Sequence, residues 1–408
     1  MTLDHTWHFP LAFWYTNLHA VSPHPPALAG RPLTAFRCTA MAIRSISAAA
    51  ALLFALAGTA HAANPDPERW IDISPEALNS GEIRLPVGEL DGAEGPSVLR
   101  VQILLNRALF SPGMLDARWG ANVRTATRWF QKREGLEETG IVDEATYDAL
   151  MRASGRPDRL VRQHTLSATD VEGPFLALPS NMYERAKLAC SCYQVLSEKI
   201  AEQFHTREGV LERLNPGMNL DSLKAGDKLW VPRVREPTVA ANMKIAEILV
   251  SGSGNFVQAR DSAGNILAHF ASTMGSSIDP SPEGEVTVRE VTANPWWNYQ
   301  PSLLKVLRSN GPNAMIPPGP NNAVGWVWIG LSAPHYGIHG TSEPETIGYA
   351  TSSGCVRLPN WDARFLSRRV RPGTKVRFED TRNGERVIPR RPRPRLLGTR
   401  ADSVASEP

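Results

Sequence analysis

The chain of 408 residues carries 44 basic and 41 acidic side chains, which gives a formal net charge of +3. A balance this close to neutrality offers no electrostatic argument for nucleic acid, and we expect no nucleic-acid partner. The length exceeds one typical domain, so two or three domains are expected. No apolar stretch after residue 62 reaches the roughly 20 residues that span a bilayer, so we expect no membrane span in the mature chain.

The first 62 residues are interpreted as a leader. Residues 1–40 form no coherent element and are read as an extension ahead of the true start. Residues 41–62 combine a short basic segment, an apolar run at 48–57 and a closing Ala60-His61-Ala62, the small-X-small pattern of a cleavage site. We therefore predict a cleavable signal peptide at 41–62 and a periplasmic location. The alternative is an anchor that stays in the membrane after export.

Residues 93–152 show the spacing of amphipathic helices, separated by the loops Leu115–Gly120 and Thr139–Asp143. This pattern resembles the peptidoglycan-binding domain of type 1, a small module of three helices. Trp119 and Trp129 are interpreted as core residues, and stacking on a sugar is the alternative.

Residues 190–234 indicate a small α+β module. Two helical segments are followed by the turn Asn215-Pro216-Gly217 and a short strand within 225–232. The order resembles a LysM-type wall-binding module, although the first strand of that fold is not evident. His205 is interpreted as a helix-end or surface residue.

Two cysteines, Cys190 and Cys192, are separated by a single residue. A bond between such close neighbours is expected to be strained, and no further metal ligands lie nearby in the sequence. We therefore expect two free thiols. Cys38 falls in the leader, which leaves Cys355 as the odd cysteine of the mature chain.

From residue 240 to 380 the pattern changes to short strands with Gly and Pro turns. The hairpin signal Ser251-Gly252-Ser253-Gly254 lies between the first two of them. An all-β catalytic domain is expected. The predicted strands are 245–250, 255–259, 266–272, 286–291 and 324–329.

The segments Tyr336-Gly337-Ile338-His339-Gly340-Thr341 and Ser352-Ser353-Gly354-Cys355-Val356-Arg357-Leu358 carry the chemistry. A cysteine attacks as the thiolate, and a nearby imidazole is the usual group that removes the thiol proton. The spacing suits two strands joined by a loop. A site for cysteine acyl transfer is predicted, and an inert core thiol is the alternative.

The same residues, with Asn360-Trp361-Asp362-Ala363, resemble the L,D-transpeptidase (YkuD) family of peptidoglycan enzymes. The resemblance extends over about 243–378 and includes Ser281-Pro282-Glu283-Gly284 and Ile316-Pro317-Pro318-Gly319. The sequence departs from the family at one position. Ser353 stands where the family usually has a second histidine before the Gly-Cys pair.

The resemblance implies a catalytic function for four residues. Cys355 is the nucleophile, His339 the general base, and the Gly340 carbonyl orients the imidazole. Backbone amides of Gly354 and Cys355 form an oxyanion hole. Arg357 either holds a substrate carboxylate or supports the loop.

A second group of residues is expected to contact substrate. Trp296 and Trp297 lie on a candidate flap, with core packing as the alternative reading. The remaining members of this substrate-contacting group are Tyr336, Ser352 and Ser353.

His335 and His339 are spaced like metal ligands, but Pro334 and Gly337 indicate a turn, so no metal and no cofactor is expected.

The resemblance implies an enzyme that forms a thioester with a peptidoglycan stem tetrapeptide and passes the acyl group to an amine. It also implies covalent reaction with carbapenems. The expected partners are stem peptides and glycan, with an envelope protein as one candidate acceptor. The alternatives are a non-catalytic wall-binding scaffold, in which Ser353 marks a degraded site, and an L,D-carboxypeptidase that uses water. The basic, proline-rich tail at 381–408 is expected to be disordered.

Overall fold

The computed structural model describes residues 72–236, 239–303 and 311–381, together with the backbone of Arg395–Leu396. The predicted extension and signal peptide lie outside the described residues, as does most of the tail. Within the described part of the chain, no helix is both long enough and apolar enough to cross a bilayer.

The first module is helical, as predicted. Its second helix starts with Pro at the first turn, where a missing N–H costs nothing. The third ends at Gly135 with a φ of 68°, a left-handed cap that glycine adopts without strain. Trp119 is fully buried, which confirms its core interpretation. The elements are α1 (Pro75–Asn79), β1 (Ala93–Glu94), α2 (Pro96–Arg107), β2 (Phe110–Ser111), α3 (Ala121–Glu134) and α4 (Glu144–Ala153).

In the part of the chain that the structure describes, the second module has two paired strands and four α-helices, of which α7 (Leu196–Gln203) and α8 (Glu208–Leu214) are the longest. The strand that the sequence did not reveal is β3 (Val161–Thr165), which runs antiparallel to β4 (Lys228–Pro232) with Val161 opposite Pro232. An insertion at 166–195 separates β3 from the first long helix, α7, and this distance along the chain explains why the strand was missed. The elements are β3 (Val161–Thr165), α5 (Ala168–Val171), α6 (Met182–Arg185), α7 (Leu196–Gln203), α8 (Glu208–Leu214) and β4 (Lys228–Pro232).

The expectation of two free thiols at Cys190 and Cys192 is wrong, because the two form a disulfide. Their Cα atoms are 5.2 Å apart, within the range of about 4.4–6.8 Å that disulfides span. Ser191 between them turns into the catalytic domain, where its N–H donates to the Pro318 carbonyl at 2.8 Å.

His205 follows Phe204, the residue that caps the end of α7, and has a φ of 56°, so its helix-end position is confirmed. The expectation of a surface position is wrong, since only 8% of the residue is exposed. Its ring stacks on Trp361 with 5.1 Å between centroids, and its Nδ1 lies 3.2 Å from Asn106 Nδ2. The histidine is buried because all three modules meet around it.

The third module is β-rich, and all five predicted strands are present within three residues of their expected bounds. The module also includes a helix, α9, which the strand pattern did not indicate. The elements are β5 (Glu247–Ser251), β6 (Phe256–Arg260), β7 (Ile266–Ala271), β8 (Gly284–Ala293), β9 (Trp297–Tyr299), β10 (Ala314–Ile316), β11 (Val327–Leu331), β12 (Gly337–His339), β13 (Val356–Arg357), α9 (Asn360–Ser367) and β14 (Lys375–Glu379).

The main sheet has the order β13-β12-β11-β8-β14-β5-β6-β7-β2. Its last strand belongs to the first module, which therefore extends the catalytic sheet by parallel pairing of Phe110 with His269. In the tail, β15 (Arg395–Leu396) pairs in parallel with β1. The expectation of disorder in the tail is wrong at these two residues, because they pair with the neighbouring strand β1.

Candidate active site

Adjacent strands bring the histidine and the cysteine together. β12 pairs in parallel with β13, so that Ile338 lies opposite Val356 and His339 opposite Arg357. Side chains alternate between faces, so Cys355, one residue before β13, shares a face with Arg357 and His339. Ile338 and Val356 point the other way into the main core of the sheet.

The face that carries Cys355 is lined by aromatic side chains. Trp297, Tyr299 and Trp328 form one buried cluster with the cysteine. The His339 ring stacks on Trp328 with 5.5 Å between centroids. Cys355 carries a thiol rather than a disulfide, and the residue is only 2% exposed. The surroundings are therefore dry, and polar contacts there act at low effective dielectric constant.

The imidazole of His339 has a fixed orientation. Its Nδ1 lies 2.7 Å from the Gly340 carbonyl oxygen, and because that oxygen only accepts, Nδ1 carries the proton. Nε2 is then the basic nitrogen. Burial lowers the pKa of His339 to about 3, the hydrogen bond to Gly340 raises it, and the Arg357 charge lowers it. The imidazole is thus neutral at pH 7, the form that accepts a proton.

Arg357 lies beneath the nucleophile rather than in the open. It is 1% exposed, and its Nη2 donates to the Thr351 carbonyl at 2.6 Å. Burial lowers the pKa of Arg357, while Glu343 and Cys355 raise it. A guanidinium beside a thiol favours the thiolate. Of the two functions expected for Arg357, this geometry favours support of the loop over capture of a substrate carboxylate.

The loop before Cys355 is held by hydrogen bonds from several sides. Ser352 donates its hydroxyl to the Cys355 carbonyl, and its backbone N–H donates to the Met274 carbonyl at 2.8 Å. The Ser281 hydroxyl donates to the Gly354 carbonyl at 2.7 Å. Ser281 was noted only as part of a turn motif, and the structure gives it this supporting contact.

Gly354 has a φ of 104°, and a Cβ at this position would lie 2.7 Å from a ring carbon of Tyr336. Tyr336 packs against the loop and donates its hydroxyl to the Pro280 carbonyl at 3.3 Å. Only a residue without a side chain fits between this ring and the nucleophile. The oxyanion hole from Gly354 and Cys355 amides stays a prediction.

The remaining sequence-predicted residues differ in how deeply they are buried. Trp297 is 1% exposed and is part of the cluster around Cys355, whereas Trp296 is 55% exposed. Ser353 is half-buried beside the nucleophile. His335 is exposed, and its carbonyl lies 3.6 Å from the Cys355 sulfur. Among the described residues, no group of three or more His, Cys, Asp or Glu side chains could hold a metal ion.

Sequence reasoning missed Asn360 as a site residue. The residue is fully buried at the start of α9, and its Oδ1 accepts a hydrogen bond from the Thr341 N–H at 3.1 Å. A Cβ on Gly340 would lie 2.1 Å from that oxygen, so the two residues are in direct contact. Sequence reasoning noted Asn360 only as part of the Asn360-Trp361-Asp362-Ala363 motif, and spacing along the chain does not reveal that its amide contacts the His-Gly-Thr segment.

Comparison with known proteins finds three families along the chain. Residues 246–378 match the L,D-transpeptidase catalytic domain, YkuD. Residues 94–150 match the "Putative peptidoglycan binding domain" and residues 198–232 the LysM domain.

The curated relatives that match the chain are also named as L,D-transpeptidases. The chain is 31% identical over 180 residues to "Putative L,D-transpeptidase YkuD" of Bacillus licheniformis, a match that covers 44% of this chain and 90% of the relative. It is 27% identical to the protein of the same name from Bacillus subtilis, over 43% of this chain and 89% of the relative.

Among solved structures, an L,D-transpeptidase from Xylanimonas cellulosilytica matches at 16% identity. It covers 73% of this chain and 100% of that one, with a TM-score of 0.32 that is too low to support a conclusion. The family rests instead on the sequence matches, which span nine tenths of the Bacillus licheniformis relative. The chain belongs to the L,D-transpeptidase (YkuD) family, cysteine-dependent acyltransferases that act on peptidoglycan, and it carries peptidoglycan-binding and LysM domains.

Proposed function

We propose that this chain forms a thioester between Cys355 and a peptidoglycan stem tetrapeptide, and that it transfers the acyl group to an amine. Three amine acceptors fit this chemistry. A second stem gives a 3→3 cross-link, a free D-amino acid gives exchange, and a lysine of an envelope protein gives anchoring to the wall.

The reaction has two halves that share one base. In the first, Nε2 of His339 takes the thiol proton, the Cys355 sulfur bonds to the carbonyl carbon of the third stem residue, and the C–N bond from that carbon to D-Ala breaks. D-Ala leaves as an amine with the proton from His339. In the second half, the acceptor amine gives a proton to His339 and bonds to the same carbon, the C–S bond of the thioester breaks, and His339 returns the proton to the Cys355 sulfur.

The observation that carries this proposal is the geometry of His339. Its Nδ1 is committed to the Gly340 carbonyl at 2.7 Å, and the register of β12 and β13 puts the ring on the face that carries Cys355. A base held in one tautomer beside a buried thiol supports acyl transfer. An inert core cysteine needs no such arrangement.

We also propose that the protein acts in the periplasm after export by the predicted signal peptide. The disulfide between Cys190 and Cys192 supports an oxidising compartment. The two wall-binding modules would raise the local concentration of stem peptides at the site by tethering. Amino-terminal sequencing of the exported protein tests the leader, and a mature chain that begins at Ala63 is expected.

Two observations favour the scaffold alternative. Ser353 replaces the second family histidine, and serine cannot accept a proton at neutral pH. Cys355 is only 2% exposed, so a substrate must reach a thiol that lies under the aromatic cluster. Neither removes the His339 base, which is why we retain the catalytic proposal.

The test is incubation of the exported protein with a purified disaccharide tetrapeptide, with Cys355→Ala as the matched control. We expect a Cys355 acyl-enzyme, release of D-Ala, and a dimer or an exchanged product when an amine is supplied. A tripeptide product alone would instead identify an L,D-carboxypeptidase. Binding of the muropeptide by both proteins with no release of D-Ala would establish the scaffold.

A further inference from the structure

The amide of Asn360 connects the LysM-like module to the catalytic histidine. On one side, its Oδ1 accepts from the backbone N–H groups of Thr341 at 3.1 Å and Trp326 at 3.3 Å. On the other side, its Nδ2 donates to Glu202 Oε2 at 2.7 Å and to the Pro320 carbonyl at 3.1 Å. The oxygen of this buried side chain therefore accepts two hydrogen bonds, and its NH₂ group donates two.

The surroundings permit only one orientation of that amide. Backbone N–H groups can only donate, while a carboxylate and a carbonyl can only accept. A flipped Asn360 would set its NH₂ group against two N–H donors and its oxygen against two acceptors. The carboxylate of Glu202 therefore acts together with the Pro320 carbonyl and the two N–H groups to fix which atom of Asn360 faces Thr341.

That atom lies against the residue that orients the catalytic base. Gly340 has no room for a Cβ because Asn360 Oδ1 would be 2.1 Å away. The carbonyl of the same Gly340 accepts from His339 Nδ1 at 2.7 Å. A displacement of the Asn360 amide would therefore move the peptide that holds the imidazole.

Glu202 comes from α7 of the LysM-like module and is itself held in place. Its Oε1 accepts from the Tyr193 hydroxyl at 2.8 Å and from Trp326 Nε1 at 2.9 Å. The residue also lines a cleft of about 440 Å³, whose walls include Trp361 and Arg364 of α9. The two carboxylate oxygens serve three donors, a demand that a glutamine with one acceptor oxygen cannot meet.

We propose that Glu202 is a positioning residue for His339, acting through Asn360 and Gly340, so that docking of the LysM-like module sets the geometry of the catalytic base. The inference rests on the proposed thioester function. It makes the wall-binding module part of the catalytic machinery in addition to a tether. Ligands that enter the cleft beside Glu202 would then act on the rate of acylation.

The test is a charge-exchange series in the full chain: Glu202→Gln, Asn360→Asp and the double variant. Glu202→Gln removes the oxygen that accepts from Asn360, and Asn360→Asp sets two carboxylates face to face. In the double variant, the amide introduced at position 202 would donate its NH₂ group to the carboxylate introduced at position 360. The second oxygen of that carboxylate would still accept from the Thr341 N–H, and only the contact with the Pro320 carbonyl stays unfavourable.

The readout is the single-turnover rate of Cys355 acylation by a carbapenem, followed by mass spectrometry. We expect each single variant to be slowed by about tenfold or more and the double variant to recover most of that loss. Glu198→Gln is the matched control, because Glu198 lies on the same helix and accepts from Asn321 at 2.7 Å without touching Asn360. Its rate should stay within about twofold of wild type.

Thermal unfolding of each variant separates rate from stability. Tyr193→Phe, which removes one donor to Glu202, supplies a milder change if Glu202→Gln does not fold, and a slowing of about threefold is expected. Equal acylation rates in wild type and all folded variants, or a double variant slower than both singles, would overturn the positioning role. Absence of an adduct on the wild type would instead overturn the proposed function, and the inference with it.

Discussion

Helix α9 receives a contact from each of the two wall-binding modules, and the two contacts differ in the residues to which α9 connects them. The first module reaches Asp362, which accepts from the Ser111 hydroxyl at 2.7 Å and pairs with the buried Arg235. The LysM-like module reaches Asn360 through Glu202 at 2.7 Å. Both targets are fully buried and lie within the first turn of the helix.

Only Asn360 touches the residue that orients the base. Asp362 joins the sheet edge made by β2 to the segment that enters the catalytic domain, and its contacts hold modules together. Two wall-binding modules can therefore have different functions on the same helix. One stabilises the assembly of domains, and the other also sets the geometry of the chemistry.

Removal of the base should have the largest effect and sets the limit for any residue that acts through it. His339→Ala should slow acylation of Cys355 by roughly 10²–10⁴-fold, the usual contribution of a general base. Single-turnover kinetics with a carbapenem measure this rate. A variant at Glu202 that is slower than His339→Ala would contradict an effect transmitted through the imidazole.

Asp362→Asn should reduce stability and leave the chemistry of the folded protein unchanged. The substitution leaves the Arg235 guanidinium, with a side chain 2% exposed, without its charge partner. Breaking such a buried pair costs about 3–5 kcal/mol. Urea unfolding gives the loss, and the acylation rate should equal that of wild type. A slowed acylation in folded Asp362→Asn would remove the distinction between the two contacts.

Ser111→Ala is the milder variant at the same contact. It removes the hydroxyl that donates to the buried Asp362 carboxylate and accepts from the Gly113 N–H, and it should cost about 1.5–3 kcal/mol of unfolding free energy. The acylation rate should again match wild type. A cost near zero would show that the hydroxyl contributes nothing to the attachment of this module.

Acid should weaken the protein through its buried histidines. Burial lowers the pKa of His269, at the β2 edge of the sheet, and of His339 to about 3, from a usual value of 6.5. Below pH 6.5 the unfolded chain binds protons that the folded chain does not. The free energy of unfolding therefore decreases as the pH is lowered from about 6.5 to about 3. Each such histidine contributes about 1.4 kcal/mol per pH unit over this window.

His269→Gln should reduce that slope by one histidine's share while leaving acylation intact, because His269 packs between Phe110 and Phe256, away from Cys355. Urea midpoints measured between pH 7.5 and 4.5 give the slope. An unchanged slope would mean that His269 titrates normally in the folded protein.

The sequence was sufficient for the parts of the fold that repeat locally. Short strand-like segments between Gly and Pro turns predicted the strands, and two short segments predicted the His339–Cys355 pair. The disulfide, the strand β3 and the burial of His205 depend on how modules pack, which local periodicity does not encode. The contact between Glu202 and Asn360 joins residues 158 positions apart in the chain, so neither side chain carries a local signal.

The most direct test of the central claim is intact-protein mass spectrometry after incubation with a carbapenem. The wild-type chain and its Cys355→Ala variant would be compared under the same conditions. We predict one covalent adduct on the wild type and none on the variant, which would establish Cys355 as an activated nucleophile despite Ser353. No adduct on either protein, or equal adducts on both, would contradict the catalytic proposal.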